Sequence, residues 1–138
     1  MQNKNELFKI LSFFSIPFVV YVFNYVLLFL GIPNLEYNQW ISAPMHFAGG
    51  VSIAIAFFLT INHLQKREYI TLNNTSKIIF VVSLVALMAV FWEFYQFFME
   101  YATKLDLQGN LSDTMADLFF GILGGFLTSI FMVFSGKR

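Results

Sequence analysis

The chain of 138 residues contains no cysteine, which excludes disulfides, thiolate metal sites and cysteine nucleophiles. Charge is scarce as well. Only 12% of residues are charged, eight basic against eight acidic, and the basic ones form no patch, so nucleic-acid binding has no electrostatic footprint. Ser-x-x-Lys, Gly-x-Ser-x-Gly and P-loop patterns are all missing, which leaves nucleophile-elbow hydrolysis and nucleotide cradling without support. No Pro/Ser/Gly linker, charged tail or low-complexity block divides the chain, so a single domain over residues 1–138 is expected. What fills the space is apolar: 58% of residues are hydrophobic and 19 are phenylalanine, a composition of the membrane class.

Four apolar stretches, near residues 8–31, 41–63, 78–101 and 114–135, each reach the roughly 20 residues that a helix needs to cross a bilayer. The expected fold is therefore all-α: a polytopic bundle of four transmembrane helices. The first stretch is longer than a secretory signal core and no small-x-small cleavage site follows it, so it reads as a retained helix bent at Pro17. Lys4 and Lys9 precede that helix, Lys66, Arg67 and Lys77 lie between the second and third, and Lys137 and Arg138 end the chain. Lys104 alone falls on the other side, so the positive-inside rule predicts cytoplasmic N and C termini. Tyr37, Trp40 and Tyr101 suit an outer aromatic belt, and Tyr69 the inner interface.

In that orientation the intramembrane polar residues gather in the outer half. His46 lies one or two turns into the second span, Glu93 about 10 Å deeper than Glu100 on the third, and Asp113 and Asp117 open the fourth. Asn24 falls in the outer half of the first. No comparable cluster is expected in the cytoplasmic half. Steps of three and four residues put Ala86, Ala89, Glu93, Gln96 and Glu100 on one stripe, and Asp113, Asp117, Gly121, Gly124 and Thr128 on another. His46 shares a face with Gly49, Gly50 and Ile53. Small residues let membrane helices approach closely, so these stripes should face one another. The expected bundle is tight below and opens outward into a polar pocket holding His46, Glu93, Asp113 and Asp117.

Each residue also has a plainer role. Asp113 suits a helix N-cap, and Asp117 is favoured electrostatically near a helix N-terminus. His46 suits a buried histidine hydrogen-bonded to Glu93. Gly49-Gly50 and Gly124-Gly125 read as packing devices, Tyr21, Asn24 and Tyr25 as interhelical glue, and Glu100 as a rim charge. Taken together, one imidazole and three carboxylates form a hard N/O set suited to a divalent metal, Zn²⁺, Mn²⁺ or Mg²⁺. Lys104 is the one basic residue near the pocket, so a phosphate substrate would need a bridging metal.

The segments "APMHFAGG", "FWEFYQFF" and "DTMADLFFGILGG" resemble the small multi-pass bacterial inner-membrane family typified by YjdF. More loosely, they resemble the VanZ-like proteins associated with glycopeptide-antibiotic resistance. The matching positions are His46, Glu93 with Gln96, then Asp113 and Asp117 before Gly121, Gly124 and Gly125, within about residues 44–126. Ala43-Pro44-Met45 replace the acidic residue and lysine that often precede the VanZ-like histidine, and the arginine before the last motif is missing. The YjdF-like assignment fits better. It implies a multi-pass protein of the bacterial inner (plasma) membrane and names no reaction.

Three functions compete. One is a membrane-embedded, metal-dependent enzyme acting on a lipid or envelope intermediate, with Glu93 as general base or ligand, His46 and Asp117 as ligands, and Asn24, Gln96 and Glu100 in support. The second is a non-catalytic envelope protein whose pocket binds a lipid headgroup or a partner helix. The third, proton- or cation-coupled transport, would need an oligomer to provide two gates and a polar track to the cytoplasmic face, which the sequence does not display.

Overall fold

The computed structural model describes the backbone of residues 2–29, 39–103 and 109–136, and side chains within residues 5–26, 42–103 and 109–136. Tyr37, Lys104, Lys137 and Arg138 lie outside the described residues, as do the side chains of Lys4 and Trp40. Among the described residues every regular element is a helix: α1 (Gln2–Phe13), α2 (Ser15–Phe29), α3 (Gln39–Lys66), α4 (Asn74–Thr103) and α5 (Leu111–Ser135). The last three are long and apolar enough to cross a membrane. Helices α1 and α2 pass the same test only when taken together, with a bend of 42° between them, as a broken span or a re-entrant loop does.

That bend has a local cause. Pro17 lacks the N–H that the carbonyl of Phe13 would otherwise receive, and its ring crowds the same carbonyl. The chain breaks just there, at Phe14, whose own N–H falls back on the carbonyl of Leu11 three residues earlier (3.1 Å). The bend thus sits three residues ahead of the proline that produces it.

Helix starts and stops are equally local. A Schellman-type closure ends α3: Glu68 takes the left-handed conformation (φ 60°), its N–H bonds Gln65 and that of Tyr69 bonds Leu64. The Asn73 side chain then accepts from the Ser76 amide to open α4. At the start of α5 the N-cap is Asn110 rather than Asp113. The Asn110 side chain accepts from the amides of Ser112 and Asp113, and the Asp113 carboxylate accepts from the Asn110 amide at 3.0 Å. This reciprocal pair is a capping box, with Asp113 as its third helical residue.

Packing is uneven. The pairing of α3 with α5 is the most extensive, followed by α4 with α5. Gly50 lies so close to the Gly121 carbonyl that an added Cβ would collide with it, and a Cβ on Gly124 would strike the Phe47 carbonyl. Gly125 turns to α4, where its Cβ would meet Val85 at 2.6 Å. Ala54, Ala56, Phe58, Ile61, Val81, Val85 and Val133 fill the interior between these helices. Large side chains such as Phe94, Phe98, Phe119 and Phe131 point outward, as a lipid-facing surface requires.

The bent pair α1–α2 departs from the expected four-helix bundle. It lies along α3, and among the described residues no Cα of α2 comes within 8 Å of one in α4. The result is a three-helix core of α3, α4 and α5 flanked by the bent pair α1–α2.

A polar cluster also occurs at the end of α3 where none is expected. Glu6 of α1 receives hydrogen bonds from His63 and Arg67 of α3, while Lys77 bonds Asn62 at 2.7 Å and lies over the Phe58 ring. His46 and His63 are about 25 Å apart along α3 at 1.5 Å per residue, close to the thickness of a bilayer core.

Candidate functional site

Three helices meet at Gly50, Ala89 and Gly121. A Cβ built on Gly121 would lie 3.8 Å from the Ala89 Cβ and 3.6 Å from the His46 carbonyl, while Gly50 abuts Gly121 directly. His46 precedes Gly50 by one helical turn, Glu93 follows Ala89 by one turn, and Asp117 precedes Gly121 by one turn. Because α3 and α5 run against α4, all three polar side chains emerge on the same side of this knot. The small residues are therefore what bring the polar ones together.

The His46 ring sits between the two carboxylates. Its Nδ1 faces Glu93 Oε1 at 3.9 Å and its Nε2 faces Asp117 Oδ2 at 3.4 Å. Ser42, one turn before His46, donates to Asp117 Oδ1 at 2.8 Å. Glu93 is buried, and the side chains of His46 and Asp117 are 13% and 14% exposed. His46, Glu93 and Asp117 form a group that can hold a metal ion, their donor atoms lying within 4.8 Å of one another. Tetrahedral ligands at about 2.0–2.2 Å from a small divalent ion lie about 3.3–3.6 Å apart. The most widely spaced donors of the trio must therefore close by about 1 Å to share one ion.

The family model of a predicted membrane protein, DUF2238, matches residues 8–138. The chain belongs to the DUF2238 family. That match takes in all four apolar stretches and every member of the site, a wider reach than the three short motifs. No curated protein and no solved structure matches the chain.

In this DUF2238 chain the site borders a cavity of about 580 Å³. Ser42, His46, Asn24 and Gln96 line it at the polar end with Tyr21, Trp92 and Tyr95 beside them, and the remainder is apolar except for Ser52. Glu93 and Asp117 are not among the lining residues and stand behind the imidazole. His46 is thus the member of the trio that faces the cavity.

Two other sequence candidates stand apart. Asp113 belongs to the capping box and is not part of the trio. Glu100 lies two turns beyond Glu93 and does not line the cavity. Gly50, Gly124 and Gly125 are packing glycines as expected, whereas Gly49 has nothing within 4 Å of its Cβ position and borders the cavity. Ser42 was missed, although its place four residues before His46 puts it on the same helical face. The Glu6–His63–Arg67 cluster was missed with better reason, because its partners are remote in sequence and no shared stripe connects them.

Proposed function

We propose that this protein uses a divalent cation, held by His46, Glu93 and Asp117, to act on the polar headgroup of a lipid or envelope intermediate in the bacterial inner membrane. The observation that carries this reading is the meeting of an imidazole and two carboxylates from three helices at one largely buried point. Ionisable groups within membrane spans are costly, and such convergence is the usual mark of a functional site. The cation would offset the repulsion between Glu93 and Asp117 and serve as the Lewis acid for a bound headgroup. By the positive-inside argument the site belongs to the outer side of the membrane, in keeping with the YjdF-like resemblance.

Elemental analysis of the purified full chain, with titration of Zn²⁺ and Mn²⁺ into the stripped protein, tests the proposal. One equivalent of metal is expected in the wild type, with a large loss in Asp117→Asn and Glu93→Gln. Absence of stoichiometric metal under every loading condition would sink it. Because the ligands must be deprotonated to bind, the apparent metal affinity is also required to fall as pH is lowered.

One observation favours a second reading. Each ring nitrogen of His46 faces a different carboxylate, as it would if the imidazole simply tied α4 to α5 in a non-catalytic binding protein. That arrangement predicts a chain that binds no metal and loses thermal stability in His46→Gln regardless of metal supply. The transport reading gains nothing comparable, since Ser52 is the one polar residue of α3 that lines the cavity beyond His46, and its hydroxyl donates to the Gly49 carbonyl.

A further inference from the structure

We infer that the cavity between α2 and α4 is a lateral cleft that takes one hydrocarbon chain of a membrane amphiphile, whose headgroup is thereby delivered to His46. The inference rests on the headgroup reading above and names the substrate class: a single-chain amphiphile drawn from the surrounding leaflet.

Four features lead to it. First, the lining is hydrocarbon in character away from the polar end: Phe14, Phe18, Ile53, Phe57, Met88 and Phe91 form its walls. Second, its length suits one leaflet. From His46 to Phe57 the rise along α3 is about 16 Å at 1.5 Å per residue, or half of a bilayer core of about 30 Å. Third, the volume of about 580 Å³ lies within the range of about 300–1,000 Å³ typical of small-ligand pockets. Fourth, the cleft lies along a seam where two helices stand apart instead of packing.

The Pro17 bend and the large gap between α2 and α4 produce that seam. Aromatic side chains bridge it near the polar end: the hydroxyls of Tyr25 and Tyr95 share a hydrogen bond at 2.7 Å, and Tyr21 meets the Trp92 ring edge-on at 5.5 Å. A chain entering from lipid passes beneath this strap. On the α3 wall, Gly49 leaves the lumen open where any side chain would narrow it. The neighbouring Gly50 also borders the cavity, but its Cβ position is turned about 100° away, into the Gly121 backbone of α5.

Gly49 therefore provides a selective plug. The full chain, purified and delipidated in detergent, is incubated with palmitoyl lysophosphatidylcholine and examined by native mass spectrometry. One probe molecule per chain is expected for the wild type, and retention at the level of a detergent blank for Gly49→Leu. Should that variant fail to fold, Met88→Phe narrows the cleft from the α4 wall and carries the same expectation. Metal content is measured in parallel and should be unchanged in the plugged variants, because neither position belongs to the ligand set. No saturable retention by the wild type, or equal retention by a folded plugged variant, overturns the inference. Probe retention in a protein that binds no metal would leave the cleft standing and defeat the metal reading alone.

Discussion

The seam between α3 and α5 and the seam between α2 and α4 are built from opposite ends of the size scale. Across the first, Gly50, Gly121 and Gly124 bring backbone against backbone and leave no room for a Cβ at two of the three positions. Across the second, Tyr21, Tyr25, Trp92 and Tyr95 hold the helices apart and touch through ring edges and hydroxyls. In lipid there is little hydrophobic gain from joining two apolar helices, so close packing and interhelical hydrogen bonds decide which seams shut. Small residues shut the first seam and position His46 against Asp117. Large rings leave the second open and create the cavity beside them.

The sharpest way to break this contrast is at two adjacent glycines. Gly50→Ala drives a methyl into the Gly121 backbone, which cannot rotate away, and should lower stability by about 3 kcal/mol or more. Gly49→Ala points into open space and should be neutral or gain up to about 1 kcal/mol from helix propensity. Thermal unfolding of both proteins in detergent reads the difference, and equal losses would refute the assigned helix rotation.

Gly125→Ala tests the α4–α5 contact, where the obstacle is a side chain instead of a backbone. A loss of about 1–2 kcal/mol is expected, and the added change Val85→Ala should recover part of it as a measurable coupling in a double-mutant cycle. Simple additivity would mean the two residues do not meet.

Next in size is an effect on the site with little effect on the fold. Ser42→Ala removes the hydroxyl bonded to Asp117 and, on the proposed metal reading, should weaken binding of the cation about tenfold, as loss of a group that orients a ligand does. Competition with a fluorescent chelator gives the number. The smallest effect is expected at the open seam. Tyr25→Phe deletes one hydroxyl of the bridging pair and should change stability by about 0.6 kcal/mol, the average for hydrogen bonds between membrane helices. A loss as large as that of Gly50→Ala would show that the seam is closed by more than its strap.

Much of this layout was legible beforehand. A carboxylate or imidazole inside an apolar helix stands out because the bilayer penalises it, so His46, Glu93 and Asp117 could be picked out singly. Small residues at steps of three and four then indicated the faces that meet. Three of the four expected spans correspond to α3, α4 and α5, and the first falls on the bent pair α1–α2, which reaches span length only when both helices are taken together. Asp113 was harder, because an aspartate at the third helical position and one at the N-cap look alike until Asn110 is seen to accept the amides. Glu6, His63 and Arg67 left no signal, since α1 must fold back along α3 before they can touch.

By itself, the sequence determined that this is an all-helical chain of the membrane class, where its helices run, where Pro17 must interrupt the first of them, and which polar residues must be sheltered. These follow from local rules: hydropathy over about 20 residues, a missing N–H, and the 3.6-residue period. The tertiary structure decided at which of two neighbouring glycines a Cβ would meet the backbone of another helix and at which it would meet open space, that His46 stands in front of Glu93 and Asp117, and that one seam closes while the other stays open. Successive residues on a helix differ by about 100° of rotation, and only the position of a neighbouring helix converts that angle into a buried face or an open one.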